Sequence, residues 1–324
     1  MQSSNYGLEK RNVKELELVI VGAGSAGLSA AIYASLMDIK YALLDAEAGG
    51  GLMNLAKTVE NFPGVMGKRG PEITEDLIKQ LEKSGGRLNS YEPAEEFDFS
   101  SSETLRVKTS SKVYFPKTVI ISTGLELLGL KEEFGIKGER NYLGKGVSYC
   151  AECDGPLLKG KRALVIGNPF DAFLLKRLCK AVYYLGPVPP EFSSKVPVEV
   201  IEANDIEYME GNIEKLIGNN FLSSVVIDGK DLKIDGLFLT KKKAGSEIFA
   251  KTGLKLDDSG FIVVNRHMET NIKGVFAAGD ITGEPWQISK SVGEGAVACL
   301  SAFKFITGQE MRNLGWALQD EWEL

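Results

Sequence analysis

One histidine stands in 324 residues, His267, and the cysteines number four: Cys150, Cys153, Cys179 and Cys299. A zinc site needs a second pair of nitrogen or sulfur ligands, and neither another histidine nor a second close cysteine pair is there to supply it. Four cysteines so unevenly spaced also exclude the disulfide framework of a small secreted domain. No window reaches the ~18 apolar residues that a membrane-spanning helix requires. Residues 1–14 are polar and charged and lack the apolar core of a signal peptide. An intracellular, cytoplasmic protein with no membrane partner is expected. Positive charge is in short supply too: 38 Lys and Arg face 44 Asp and Glu, for a net charge of −6. The only basic run is residues 241–243, so nucleic acid is excluded as a partner.

What is present suits a two-domain globular enzyme. The chain is 44% hydrophobic and 25% charged, within the ordinary soluble range. Its 36 glycines exceed the roughly 7% average without any repeat, which points to tight turns. Residues 17–21 form an apolar run, followed by Gly22-Ala23-Gly24-Ser25-Ala26-Gly27 and a stretch of apolar and small residues over 28–37. A second apolar run, 41–44, ends at Asp45. Strand, glycine turn, helix, strand and acid together make a βαβ dinucleotide-binding signature. Gly22 permits the turn, Gly24 lets backbone approach a pyrophosphate, Gly27 allows close helix–strand packing, and Asp45 accepts from a ribose hydroxyl.

Further along, residues 112–123 predict a strand running into Ser122-Thr123-Gly124. Residues 161–166 predict another, followed by Gly167-Asn168-Pro169-Phe170-Asp171-Ala172 and a helix to 180, a second nucleotide turn with its glycine pattern spoiled. A third apolar run, 274–278, leads into Gly279-Asp280, and 288–306 predicts a long helix. Cys150 and Cys153 are spaced for a disulfide, and a helix N-terminus beneath them stabilises a thiolate. Cys179 and Cys299 fall in apolar helical patterns and read as small core residues.

The segments VGAGSAGLSAAIYA, GGL, VENFPG, STG, GKGVSYCAECDGP and GVFAAGD with the later QI occur in one order, and in that order the chain resembles the low-molecular-weight thioredoxin reductase family of flavoproteins over nearly its whole length. The resemblance implies an α/β fold of two Rossmann-like, three-layer ββα nucleotide-binding domains. The FAD domain is discontinuous, at residues 1–127 and 248–324, and a central domain of residues 128–247 carrying the redox dithiol is inserted. It implies that Gly22, Gly24, Gly27, Asp45, Gly50, Gly51, Asn61, Thr123, Gly124, Gly279, Asp280, Gln287 and Ile288 line the flavin, Asp280 at the ribitol and Gln287 with Ile288 near the isoalloxazine. It also implies a homodimer, a thioredoxin- or glutaredoxin-like partner, and Cys153 as the cysteine nearer the flavin.

Exchange through the Cys150/Cys153 pair needs an acid for the departing thiolate. His267 falls away from the dithiol in the motif match, which leaves Asp154, provided burial raises its pKa; the bland reading is a turn cap. The family's NADPH motifs are lost at three points. Pro169 replaces a glycine and offers no N–H. Residues 186–191, after the strand at 181–185, carry no basic cluster for a 2′-phosphate. Residues 240–246 replace a Gly-x-x-Pro-Asn segment. NADPH binding is therefore doubtful, and the leading expectation is a thioredoxin-reductase-like enzyme with another donor, such as ferredoxin. Residues 241–243 are read as a solvated lysine loop in preference to a docking patch. An NAD(P)H reductase with an altered pocket, a dithiol oxidase and a redox sensor stay open as alternatives. A C-terminal tail with Trp316 and Trp322 is expected to pack on the protein, because indoles bury large apolar areas.

Overall fold

The structure, a computed structural model, describes residues 13–100, 104–189 and 196–308. Trp316 and Trp322 lie outside the described residues. The chain divides into two compact units. Among the described residues, the first takes those up to Thr58, Phe62–Leu125, and those from Ala244 onward; the second takes Val59–Asn61 and Glu126–Lys243.

The first unit is built on β1 (Val13–Val21), helix α1 (Ser25–Leu36) and β2 (Tyr41–Leu44). Helix α2 (Gly70–Lys83) leads to β3 (Leu88–Asn89), β4 (Ala94–Asp98), β5 (Arg106–Thr109) and β6 (Val113–Ile121). β1 pairs in parallel with β2 and with β6, and the sheet runs β3-β2-β1-β6-β5-β4. The start of β6 pairs antiparallel with β5, while its end pairs in parallel with a strand returning from the C-terminal segment, Val275–Ala277.

The apolar runs in these strands follow from burial on both faces. Leu18, Ile20, Leu43 and Ile120 pack on one side with the small residues of α1 and with Ala298, Cys299 and Ala302. Those three belong to the long C-terminal helix Ile288–Thr307. Val19, Val21, Leu44 and Ile121 pack on the other side with Val107, Tyr114 and Phe249. Burying an aliphatic side chain of this size contributes about 1.5–3 kcal/mol, so the alternating sides hold the sheet in a three-layer stack.

In the second unit β7 (Leu125–Leu127) leads to β8 (Val147–Ser148), β9 (Arg162–Ile166), β10 (Ala181–Leu185) and β11 (Glu207–Met209). An antiparallel meander follows, β12 (Ile213–Gly218), β13 (Leu222–Ile227) and β14 (Lys230–Lys233), and then β15 (Gly236–Leu239). The sheet order β11-β10-β9-β15-β8, all parallel, is Rossmann-like. β16 (Lys242–Ala244) pairs with β7 where the chain passes back. Among the described residues, no helix is long and apolar enough to cross a membrane.

Two local expectations change. The helix expected to reach residue 180 is Pro169–Lys176; Cys179 follows it in a turn, its N–H donating to Leu175 O at 2.7 Å. It is nonetheless buried, as is Cys299, and burial pushes the Cys299 thiol up to about 12. The lysine run is no free loop: Lys242 is in β16, and Lys241 pairs with Glu133 at 2.9 Å.

Candidate functional site

The glycine turn after β1 is shaped by three different demands. Gly22 sits at φ +95, and a Cβ there would meet Ser122 O at 2.4 Å. A Cβ on Gly27 would lie 1.8 Å from Gly22 O, so only glycine lets α1 come down onto the turn. Gly24, by contrast, has nothing within 4 Å of an added Cβ. It is the N-cap of α1, whose N-terminus has no side-chain cap and no acidic residue in its first turn. Its smallness answers no packing demand among the described residues, and the uncapped N–H groups of a helix start attract an anion. Gly51 stands opposite, where a Cβ would be 3.7 Å from Gly24 Cα.

Asp45, expected to accept from a ribose hydroxyl, is engaged with the backbone of its own unit. Its Oδ2 accepts from Ala23 N–H at 2.6 Å and its Oδ1 from Glu47 N–H at 2.7 Å, so the carboxylate braces the turn and keeps one lone pair on each oxygen. Gly50, at φ +89, donates to Ala23 O at 2.7 Å, and a Cβ there would strike Asn54 Oδ1 and Thr74 Oγ1 at 2.5 Å. Thr123 and Gly124 follow β6 and are half-buried, with Thr123 Oγ1 donating to Gly245 O at 3.3 Å. Asn61 is exposed and groups with the second unit.

Gly279 and Asp280 arrive behind the returning strand, held by residues that sequence reasoning missed. Glu294 Oε2 accepts from Gly279 N–H at 2.8 Å and from Thr282 Oγ1 at 2.9 Å. Lys290 Nζ donates to Gly279 O, Thr282 Oγ1 and Gly283 O at 3.0, 2.9 and 2.8 Å and pairs with Glu294 at 3.2 Å. Ser291 Oγ donates to Asp280 Oδ1 at 3.1 Å. A Cβ on Gly295 would fall 2.1 Å from Ala26 O, so the C-terminal helix crosses α1 in close contact. Gln287 is the N-cap of that helix and Ile288 its first residue; both are half-buried. The i,i+4 spacing of Lys290 and Glu294 was the available signal, but it is equally the signature of a solvated helix face. FAD, the cofactor the resemblance implies, fits this set: an open cradle at Gly24 and Gly51, a carboxylate with spare acceptors, and a braced Gly279-Asp280 loop.

In the second unit Cys150 and Cys153 form a disulfide with Cα atoms 5.3 Å apart. The helix beneath them is one turn, Ala151–Asp154, with Cys150 as N-cap. A full macrodipole is thus replaced by a local contact, Cys153 N–H donating to Cys150 Sγ at 3.2 Å. Cys153 is exposed and Cys150 half-buried. Burial raises the Asp154 pKa, opposed by Ser148, whose Oγ donates to Asp154 Oδ2 at 2.6 Å. His267 is exposed in a turn of the first unit.

The central turn after β9 has the same topology and opposite chemistry. Gly167, at φ +117, is required because a Cβ would meet Lys241 N at 2.4 Å. Asn168 caps the helix Pro169–Lys176, its Oδ1 accepting from Phe170 N–H at 3.0 Å, and Asp171 adds a carboxylate to the first turn. Asn168 N–H is spent on Thr240 Oγ1 at 3.0 Å. Beyond β10, a Cβ on Gly186 would meet Tyr208 Oη at 2.3 Å, and Tyr208 donates to Glu210 Oε1 at 3.0 Å. A phenol and a carboxylate thus stand beside Gly186, with no basic side chain in residues 186–189.

Comparison with known proteins agrees with this geometry. The family described as pyridine nucleotide-disulphide oxidoreductase matches residues 16–295. A 34.2 kDa protein in the rubredoxin operon of Clostridium pasteurianum is 31% identical over 312 residues, covering 91% of this chain and 99% of that one. Thioredoxin reductase of Listeria monocytogenes is 30% identical, covering 90% and 94%. Among solved structures, thioredoxin reductase from Streptococcus pyogenes superposes with a TM-score of 0.80 at 27% identity, covering 91% and 99%. A ferredoxin-flavin thioredoxin reductase from Clostridium acetobutylicum gives 0.53 at 29% identity, covering 92% and 100%. The chain belongs to the pyridine nucleotide-disulphide oxidoreductases and, within them, to the low-molecular-weight thioredoxin reductase class. It is a disulfide oxidoreductase of that class, with Cys150 and Cys153 as its cysteine pair.

Proposed function

We propose that this protein passes electrons from FAD through the Cys150/Cys153 dithiol to the disulfide of a thioredoxin- or glutaredoxin-like protein, and that its electron donor is ferredoxin in place of NADPH. The flavin, when bound, supplies a pair of electrons to the Cys150–Cys153 bond. Gly22, Gly24, Gly27, Gly51, Asp45, Thr123, Gly124, Asp280, Gln287 and Ile288 would hold it. The disulfide takes two electrons and two protons and becomes two thiols. One thiolate of the pair then attacks the partner's disulfide and expels a partner thiolate, which takes a proton; the second attacks the mixed disulfide, restoring Cys150–Cys153 and leaving the partner as a dithiol. Asp154, its pKa raised by burial, is the acid that protonates a departing thiolate.

The central turn carries the choice of donor. A pyrophosphate needs free N–H groups at a helix start, and here Pro169 has none, Asn168 occupies the next, and Asp171 repels an anion. The ferredoxin-flavin enzyme of C. acetobutylicum, at 29% identity over 92% of this chain, supports the same reading. A homodimer is part of the proposal, by analogy with the class. The lysines at 241–243 do not serve as a simple docking patch, because Lys241 is paired with Glu133.

Anaerobic absorbance of the purified flavoprotein, mixed in turn with NADPH, NADH and reduced ferredoxin, tests this. Bleaching by ferredoxin alone is expected. Rapid bleaching by NADPH would make the protein an ordinary reductase with an unusual pocket.

A further inference from the structure

Ser148 stands two residues before the first redox cysteine, within the GKGVSYCAECDGP segment. It ends β8, and only 6% of its surface is exposed. Its Oγ lies 2.6 Å from Asp154 Oδ2, 3.2 Å from Cys150 O, and accepts from Cys150 N–H at 3.0 Å. One hydroxyl therefore touches the acid and both backbone polar groups of the first redox cysteine.

A hydroxyl has one proton to donate and two lone pairs. While Asp154 is a carboxylate, the Ser148 proton goes to Oδ2, the shorter and charge-assisted contact, and one lone pair holds Cys150 N–H. Once Asp154 is protonated, its O–H donates into the second lone pair, and the Ser148 proton turns to Cys150 O. The Ser148–Asp154 and Ser148–Cys150 N–H contacts persist in both states with no heavy atom moving, because a hydroxyl can both donate and accept. We propose that Ser148 is a positioning residue for the exchange reaction: its hydroxyl tethers the Asp154 carboxyl to the Cys150 backbone whether the acid holds its proton or has given it up.

The electrostatic surroundings leave that role to Ser148. Titratable side chains on the elements about Asp154 are Glu152 and, once the disulfide is reduced, Cys150 and Cys153 on its own turn, with Asp171 and Lys176 on the helix Pro169–Lys176 packed against it. In the disulfide form, burial raises the Asp154 pKa and the Ser148 hydrogen bond lowers it. Removing the hydroxyl takes away a hydrogen bond that favours the ionised form, so the acid should hold its proton to higher pH.

This inference rests on Asp154 being the acid of the exchange, and the test separates the two. The holoprotein is photoreduced without air and mixed with lipoamide, a small disulfide whose thiolates need protonation, and flavin reoxidation is followed against pH. In the wild type the descending alkaline limb reports Asp154. Ser148→Ala should move that limb up by about one pH unit, as expected for loss of one charge-assisted hydrogen bond, and lower the plateau ~10-fold through lost orientation. Ser148→Thr and Ser148→Val have the same shape and differ by the hydroxyl, so Thr should restore the wild-type limb while Val follows Ala. Thr and Val behaving alike, or Ala leaving the limb in place, overturns the role of Ser148. Asp154→Asn should abolish the limb; if the limb survives, Asp154 is not the acid, and the tether falls with it.

Discussion

The two glycine turns of this molecule share a topology and differ in what they leave vacant. After β1, Gly24 opens onto empty space, and α1 begins with no side-chain cap and no acidic residue in its first turn. After β9, a proline, an asparagine cap and an aspartate fill or oppose the same positions of the helix Pro169–Lys176. In both turns the first glycine is kept, at φ +95 for Gly22 and +117 for Gly167, because backbone crowds it from behind. The first glycine is demanded by the fold, whereas the second answers no contact among the described residues and is the one proposed to face the cofactor. A turn can therefore lose its nucleotide chemistry while strand, turn and helix stay in place.

The sharpest way to break this contrast is to write the central proline into the first turn. Gly24 has φ −68, near the value proline fixes, and open space around it, so Gly24→Pro should fold normally by circular dichroism. It should retain about a tenth or less of the wild-type flavin, through loss of an N–H and of close approach. Retention of the full flavin complement would show that Gly24 does not face the cofactor. Next comes Gly27→Ala. Its Cβ would lie 1.8 Å from Gly22 O, and thermal unfolding should report a loss of about 1–3 kcal/mol, whereas Ala172 already stands at the equivalent place in the central turn.

The reverse exchange should have a smaller effect. Asn168→Gly combined with Pro169→Gly frees the helix start, and calorimetry should detect weak pyridine nucleotide binding of about millimolar Kd. NADH and NADPH should bind equally, since no basic cluster is regained; a clear NADPH preference would mean that a 2′-phosphate site had been overlooked. The smallest effect belongs to Asn168→Ala, which removes the cap on Phe170 N–H and should cost about 1 kcal/mol of stability without changing flavin content.

Much of this contrast is legible in the sequence, since Pro169 and the glycine spacing are read directly from it. The bounds of the elements shift modestly: α1 begins at Ser25, and the helix after Pro169 stops at Lys176, where the chain turns through residues 177–178 with Leu178 and Cys179 N–H donating back to Leu175 O. Other features were hidden. A Lys–Glu pair at i,i+4 reads as a solvated face, yet Lys290 and Glu294 are only 15% and 18% exposed and brace the Gly279-Asp280 loop. Residues 241–243 read as a lysine loop, yet Lys242 lies in β16 opposite β7. Ser148 is two residues from a redox cysteine, but nothing in its spacing shows that its hydroxyl faces Asp154.

The sequence by itself determined the class of the protein, because glycine at positive φ, proline without an N–H and two cysteines three apart are constraints carried by the local backbone. Only the tertiary structure decided how those pieces are held. The Asp45 carboxylate on Ala23 N–H, Glu294 on Gly279 N–H and the Ser148 hydroxyl against Asp154 depend on where the chain returns to itself, and that return is set by the burial of both faces of each sheet.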